Sequence, residues 1–579
     1  MKSINRSIII CIILLVSITL ISSLFFLLTT DVQAKNVLTM NVSGPIITNT
    51  TWTAANSPYI LTDDVTINEG ITLTIEPDVT VMGEIGTLLA VNGRLEAIGT
   101  PSQPITFTSS VDSWAGLYIE DEGSAHLNHA VVEYGYSTNI GISTDSAFIT
   151  KIENSVIQES YDQAMVIAVS SLHLVELDNV TFVNNPQNRI YIRYHVDTSP
   201  LIDNATLTAQ PGLEGYEVEF FDGLSEFFIP TGVTLTLTPD VTFLIHGPIM
   251  VNGRLDAIGT PSQPITFTSS EYNWGLHIVE EGSTHLNHTV LEHGYTNVDI
   301  RTIESAPISK IENSVIQDSY YQPISINANA LHLVELDNVT FVNNPRNRIY
   351  IRYHVDTSPL IDNATLTTQP GLDGYEVEFS DSYYVFEIPA SITLTVAPDV
   401  TLFIPEMAFV DVYGRLEAIG TPSQPITFTS IATNTTNTYL WRGITVNGGS
   451  TNLVHTRIQQ SINNGLSILD GSVSARCSTF TNNLGSGIFV DATAQGNIQL
   501  TYNSLESNTV AGLQNEKPAW LDARYTWWGA ADGPSGNGSG SGDAATGNVF
   551  VTPWLTAPEC QEEKPPIWQV FLPVIITSE

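Results

Sequence analysis

Gly443-Ile444-Thr445-Val446, Gly465-Leu466-Ser467-Ile468, Gly487-Ile488-Phe489-Val490 and Gly512-Leu513 are versions of one short segment, recurring along the chain at nearly even steps. Earlier in the chain Gly116, Gly141, Met165 and Ile190 open similar segments at similar steps. Each segment is short, rich in Val, Ile and Thr, and alternates apolar with polar positions between runs of Asn, Gly, Asp and Ser. That pattern predicts short strands with one buried face, and no sustained helical period competes with it. The step, about 22 to 25 residues and holding about three short strands, is what one turn of a parallel β-coil needs, with successive coils hydrogen-bonded at about 4.8 Å.

A longer repeat contains the short one. LTIEPDV begins at Leu73, LTLTPDV at Leu235 and LTVAPDV at Leu394. GRLEAIGTPSQPITFTS begins at Gly93, GRLDAIGTPSQPITFTS at Gly253 and GRLEAIGTPSQPITFTS at Gly414. Each copy leads to a Trp before a strand, at Trp114, Trp274 and Trp441. The expected class is therefore all-β, a parallel β-helix solenoid built from three duplicated modules of about 160 residues. The expected segments are a signal peptide at 1–34, an N-terminal cap with module 1 at 35–204, module 2 at 205–363, module 3 at 364–529, and a closing segment and tail at 530–579. About 480 residues at about 23 per coil predicts roughly 21 coils. Asn184-Asn185, Asn343-Asn344 and Asn482-Asn483 follow strands, and stacked amides can form ladders along such coils.

With LTIEPDV, GRLEAIGTPSQPITFTS, the Trp-Gly-[Leu/Ile] strand, HLNHAVVEYG from His126 and WWGAADGPSG from Trp527 in hand, the chain resembles the right-handed parallel β-helix repeat proteins of bacterial cell surfaces, whose fold is the pectate-lyase-like one. The resemblance covers most of residues 50 to 557. It implies an exported rod, and it departs from the family pattern at Asp78, Asp240 and Asp399, where Gly is commoner in the turn.

The termini and the charge bear on location. Lys2 and Arg6 precede an apolar run from Ile8 to Leu28 and then Val32-Gln33-Ala34, the arrangement of a cleaved secretory signal. The run is also long enough to act as an uncleaved membrane anchor, the one route by which a membrane enters. The reading is a secreted or cell-surface protein, expected as a monomer. Sixty acidic against 20 basic residues, a net charge of −40, argue against nucleic acid as a partner. Cys477 and Cys560 remain beyond the leader and are read first as a disulfide, with two free thiols as the alternative.

The strongest polar constellation is IYIRYHVD, from Ile190 and again from Ile349. Strand alternation turns Ile190, Ile192, Tyr194 and Val196 inward, and sets Tyr191, Arg193, His195 and Asp197 on the outer face. The second copy aligns Tyr350, Arg352, His354 and Asp356 in the same way. A ring beside a guanidinium, an imidazole and a carboxylate can stack on a sugar and bond its hydroxyls, so these two rows are the candidate binding residues. The bland alternative is a solvated face whose Arg and Asp pair locally. Residues 174–220 and 333–379 differ only at Gln187/Arg346, Ala209/Thr368 and Glu214/Asp373, so recent duplication preserved everything, functional or not, and the repetition adds little. On this reading the two rows are two equivalent sites.

Other candidates are weaker. His126 with His129, and His285 with His288, are spaced to face opposite ways on a strand and are read as corner or core residues, not as a metal site. No metal or cofactor is called for, and calcium stays open. Asp121, Glu122, Glu280 and Glu281 offer carboxylates, but their spacing singles out no catalytic pair. The Trp residues of the repeat are read as corner packing, and Trp520, Trp527 and Trp528 as closing the last coil. The resulting expectation is a non-catalytic binding and structural role towards polysaccharide or a cell-surface glycan. The alternative is a polysaccharide lyase or glycoside hydrolase with a groove along the coil.

Overall fold

The computed structural model describes residues 39–194, 201–220, 226–380, 384–431, 440–558 and 560. They form an all-β, right-handed parallel β-helix of about 19 turns, with 55% strand and 3% helix. Turn length varies widely, from the short turn between Thr234 and its register partner Arg254 to the much longer one between Arg415 and Ser450. The long turns explain why fewer coils form than a uniform period predicts. Contacts divide the described residues into two units, those up to 165 with 175–188, and 166–174 with those from 189 onward.

In the first unit, one ladder runs Thr50–Trp52, Thr72–Ile75, Arg94–Ile98, Ser124–Asn128, Thr150–Glu153 and Val175–Asp178. Its inward positions Ile75, Ala97, Leu127 and Ile152 stack in register and are buried. A second ladder stacks Val81, Phe107, Val132, Ile157 and Phe182 in the same way. Alternation with period two thus becomes columns of like residues along the coil axis, each shielding the next from water. The strand Met40–Ile46 adds to this unit by pairing in parallel with Tyr59–Ile67.

The second unit repeats the plan. Leu237, Ala257, Leu286, Ile311 and Leu336 form one column, and Phe243, Phe267, Leu291, Ile316 and Phe341 another. A third column runs Ile249, Leu276, Val298, Ile324, Ile349 and Tyr375, then on through Leu402, Phe428, Ile458, Phe480 and Leu505. Tyr375 sits on Gly374–Phe379, a strand with unusual neighbours. On one edge it pairs with Arg348–Tyr353, and on the other with Thr401–Ile404, the next module's counterpart of the second-ladder strand Thr242–Leu244. Gly215–Phe220 does the same one module earlier, between Arg189–Tyr194 and Thr242–Leu244. Burial pushes the hydroxyls of Tyr216 and Tyr375 up to about 12, and each donates to a local carbonyl, that of Thr208 and of Thr367.

The corners explain the paired histidines. His129, Asn154 and Asn179 occupy one corner with φ of 49, 47 and 54°, and His288, Asn313 and Asn338 the next with 50, 48 and 53°. These are left-handed conformations, which Asn and His tolerate better than most residues. Asn179 donates to Asn154 at 3.0 Å and Asn154 to Asn128 at 3.2 Å, so an amide ladder runs beside this corner. Of the Asn pairs singled out in sequence, Asn483 donates to Asn508 at 2.9 Å, whereas Asn184 donates to Glu159. Trp114, Trp274 and Trp441 are buried, and each indole N–H donates to a backbone carbonyl, of Glu133, Glu292 and Gln459. Trp528 is buried as well, but Trp520 is 58% exposed and stacks on Phe550 at 4.6 Å. Cys477 and Cys560 are bridged, with their Cα atoms 5.2 Å apart.

Candidate functional site

The second copy of IYIRYHVD lies on the strand Arg348–Tyr353, and its neighbours in register define the site. Tyr350 has Ser325 above it and Glu376 below, and Arg352 has Asn327 above and Glu378 below. One coil further up, Ser325 pairs with Asp299, and Asp299 with His277. Five successive coils therefore contribute one outward position each: His277, Asp299, Ser325, Tyr350 and Glu376.

Electrostatics knit this column together. Arg352 Nη1 donates to Asp299 Oδ1 at 2.6 Å, and Arg301 holds the other carboxylate oxygen. Asp299 is 1% exposed, which such a charge tolerates only with charged donors. Arg348 and Arg346 both reach Glu376, at 2.7 and 3.2 Å, and the Arg348 guanidinium lies 3.5 Å over the Phe403 ring. Gln322 donates to Glu378 at 2.6 Å, yet burial still holds that carboxyl above its ordinary range. Burial likewise lowers His277, the Asp299 charge opposing and Arg301 and Arg352 assisting. The Tyr350 hydroxyl is pushed up to about 12 by burial, with help from the Glu376 charge. Gln322 Oε1 and Ser325 Oγ are buried and find no hydrogen-bond partner among the described residues.

The structure corrects the sequence reading of both rows. Tyr191 and Tyr350 are on the outward side of their strands but only 8% and 5% exposed, so neither ring is open to stack on a ligand. Arg346, Arg348, Glu376 and Glu378 crowd the Tyr350 hydroxyl. His354 and Asp356 do not continue the row, because the strand ends at Tyr353, and His354 Nδ1 accepts the amides of Asp356 and Thr357 in the turn that follows. Arg352 pairs with Asp299, a partner distant in sequence, and not with Asp356 at i+4. In the first copy Arg193 lies 3.7 Å from Glu219, while His195 and Asp197 fall outside the described residues.

The two copies also have different surroundings. The positions matching His277, Asp299, Arg301 and Ser325 in the first module are Tyr118, Gly141, Ser143 and Val166. There Tyr118 lies so close over Gly141 that a Cβ on the glycine would sit 2.7 Å from the ring. Sequence reading missed this difference, although a register-aware alignment of the two modules shows it.

A terrace of exposed aromatics borders the second-copy cluster. Tyr272, Tyr295, Tyr320 and Tyr321 are between 41% and 62% exposed. Tyr295 stacks with Tyr320 at 5.5 Å and contacts Tyr321 at 5.7 Å, and Tyr272 meets Tyr320 at 6.2 Å and His293 at 5.2 Å. The Glu378 charge, with burial second, raises the Tyr321 hydroxyl, which ties the terrace to the cluster. Gly294 shapes the corner beside it: its N–H donates to Asn297 Oδ1 at 2.8 Å, and a Cβ would fall 2.3 Å from that oxygen.

The other sequence candidates have structural roles. His126 and His285 bond Glu153 and Glu312, each at 3.1 Å; Lys151 first and His126 second lower the Glu153 carboxyl, and His285 lowers that of Glu312. Asp121 and Glu280 occupy left-handed corners and accept the amides of Asn92 and Asn252. Among the described residues no group of three His, Cys, Asp or Glu side chains is placed to hold a metal ion, and no helix is long and apolar enough to cross a membrane. Comparison with protein-family models and with curated proteins gives no match for this chain.

Proposed function

We propose that this chain is an exported β-helix that binds carbohydrate, and that its site is the tyrosine terrace and polar column of the second module. The observation carrying the reading is the terrace itself. Four exposed rings on neighbouring coils, two of them stacked, border the polar cluster through Tyr321, which feels the Glu378, Glu376 and Arg346 charges. Exposed apolar rings backed by converging polar groups are the usual furniture of a sugar site. The acidity and the N-terminal apolar segment fit secretion or cell-surface display.

The test is retention of the purified chain on a panel of immobilised neutral and acidic polysaccharides, wild type against Tyr295→Ala/Tyr320→Ala. Retention on at least one polymer, lost in the variant, is the expected result. Retention that is unchanged in the variant removes the terrace as the site, and retention on none removes the carbohydrate reading. A second reading, a lyase or glycoside hydrolase, gains from one feature: the first module does not repeat the polar column, and a catalytic groove needs only one. Release of reducing or unsaturated ends in the same incubations would select it.

A further inference from the structure

We infer that the second-module site selects sugars bearing a carboxylate, and that the first copy of the row forms no equivalent site. This rests on the carbohydrate reading above. Arg301, Arg346, Arg348 and Arg352 are four of the 20 basic residues in a chain of net charge −40, and they gather within three adjacent coils. Four guanidiniums share two carboxylates: Arg301 and Arg352 on Asp299, Arg346 and Arg348 on Glu376. Glu378 is the third carboxyl beside them, so the arginines outnumber the carboxylates by one. Arg301 and Arg346 are about half exposed, which leaves donors of their planar forks open to a ligand. A guanidinium fork matches a carboxylate in two parallel hydrogen bonds, a geometry that a neutral hydroxyl does not reproduce.

The same residues set the two copies apart. Arg346 replaces Gln187 at one of the few differences between residues 174–220 and 333–379, and Arg301 stands where the first module has Ser143. The second copy therefore carries two arginines that the first lacks, together with His277 and Asp299 in place of Tyr118 and Gly141.

The experiment is calorimetric titration of the full chain with a galacturonate hexamer and with its carboxyl-reduced counterpart at equal ionic strength. One uronate site per chain is expected, binding at least about tenfold more tightly than the reduced hexamer, the size of one charge-assisted bond. Arg346→Gln, which installs the residue of the first copy at an exposed position, and Arg301→Ser each weaken uronate binding about tenfold and leave the reduced hexamer unaffected. Arg193→Ala changes neither. Equal affinity for the two hexamers overturns the charge selection while leaving the carbohydrate reading in place. Two uronate sites per chain, or a loss in Arg193→Ala matching that in Arg346→Gln, overturns the single site. Binding of neither hexamer overturns the inference outright, and the carbohydrate reading then stands or falls on the polysaccharide panel.

Discussion

Truncating Arg352 should destabilise the fold more than truncating the carboxylate it holds. Asp299 is 1% exposed and takes its charge-assisted bonds from Arg352, at 2.6 Å, and from Arg301. In Arg352→Ala the carboxylate cannot rehydrate and keeps a single, half-exposed partner. Losing every partner of a buried charge costs about 3–5 kcal/mol, and one charge-assisted bond about 1.5–3 kcal/mol, so the expected cost is about 2–3 kcal/mol. Asp299→Ala leaves two guanidiniums that water can reach, since the Arg352 side chain is 26% and the Arg301 side chain 46% exposed. Its cost is expected at about 1 kcal/mol, in the range of partly exposed pairs. The double variant should then resemble Asp299→Ala, giving a coupling energy of about 2–3 kcal/mol. Urea unfolding followed by far-UV circular dichroism measures the cycle, and hydrogen exchange on Gln322–Asn327 and Arg348–Tyr353 localises it. The coupling should survive about 1 M salt, because so buried a pair is poorly screened. An Asp299→Ala cost equal to or above that of Arg352→Ala, or a coupling that vanishes in salt, would refute the reasoning.

Glu378→Gln should stabilise the chain at neutral pH. The folded carboxyl lies above its ordinary value, so the folded state disfavours its charge. That penalty is absent below the unfolded value near 4.5 and grows as pH rises through the folded value. Thermal unfolding of the variant should exceed wild type at pH 7 and converge with it below about pH 4.5, and a constant difference across that range would count against the assignment. Reduction, or Cys477→Ser, opens a loop with a sequence separation of 83 residues. Chain entropy puts the loss at about 4.5 kcal/mol, which limited proteolysis should report as early cleavage of the last coils while the ladder from Thr50 to Asp178 remains protected.

Much of this was legible in the residues. Columns such as Val81, Phe107, Val132, Ile157 and Phe182 are the direct product of period-two alternation repeated at coil spacing, and both are visible in one dimension. The site was half legible. Arg352 stood out, but its partner did not, because Asp299 lies two coils away and is brought close only by coil register. A one-residue deletion before Asp299 further hides its correspondence with Gly141. The end of the strand was misread for a similar reason. Alternation continues through Val355, yet ladder pairing stops at Tyr353 opposite Phe379, so the neighbouring coil and not the strand's own composition sets where it ends. The exposed Tyr272, Tyr295 and Tyr320 do recur at coil spacing, a signal that the reading by strand alternation passed over.

The strands Gly215–Phe220 and Gly374–Phe379 bear on how such a chain can lengthen. Each pairs with Arg189–Tyr194 or Arg348–Tyr353 on one edge and with Thr242–Leu244 or its counterpart Thr401–Ile404 on the other, so the backbone groups at the start of one module meet a strand of the same kind as those at the start of the next. A gene segment copied in tandem between two such strands inherits compatible ends and leaves no raw sheet edge to aggregate. Each new copy arrives with its register already specified. It can then diverge freely on its outer face, as the exchange of Tyr118 and Gly141 for His277 and Asp299 illustrates, while the columns inside change only among apolar residues, Val81 to Phe243 and Val132 to Leu291.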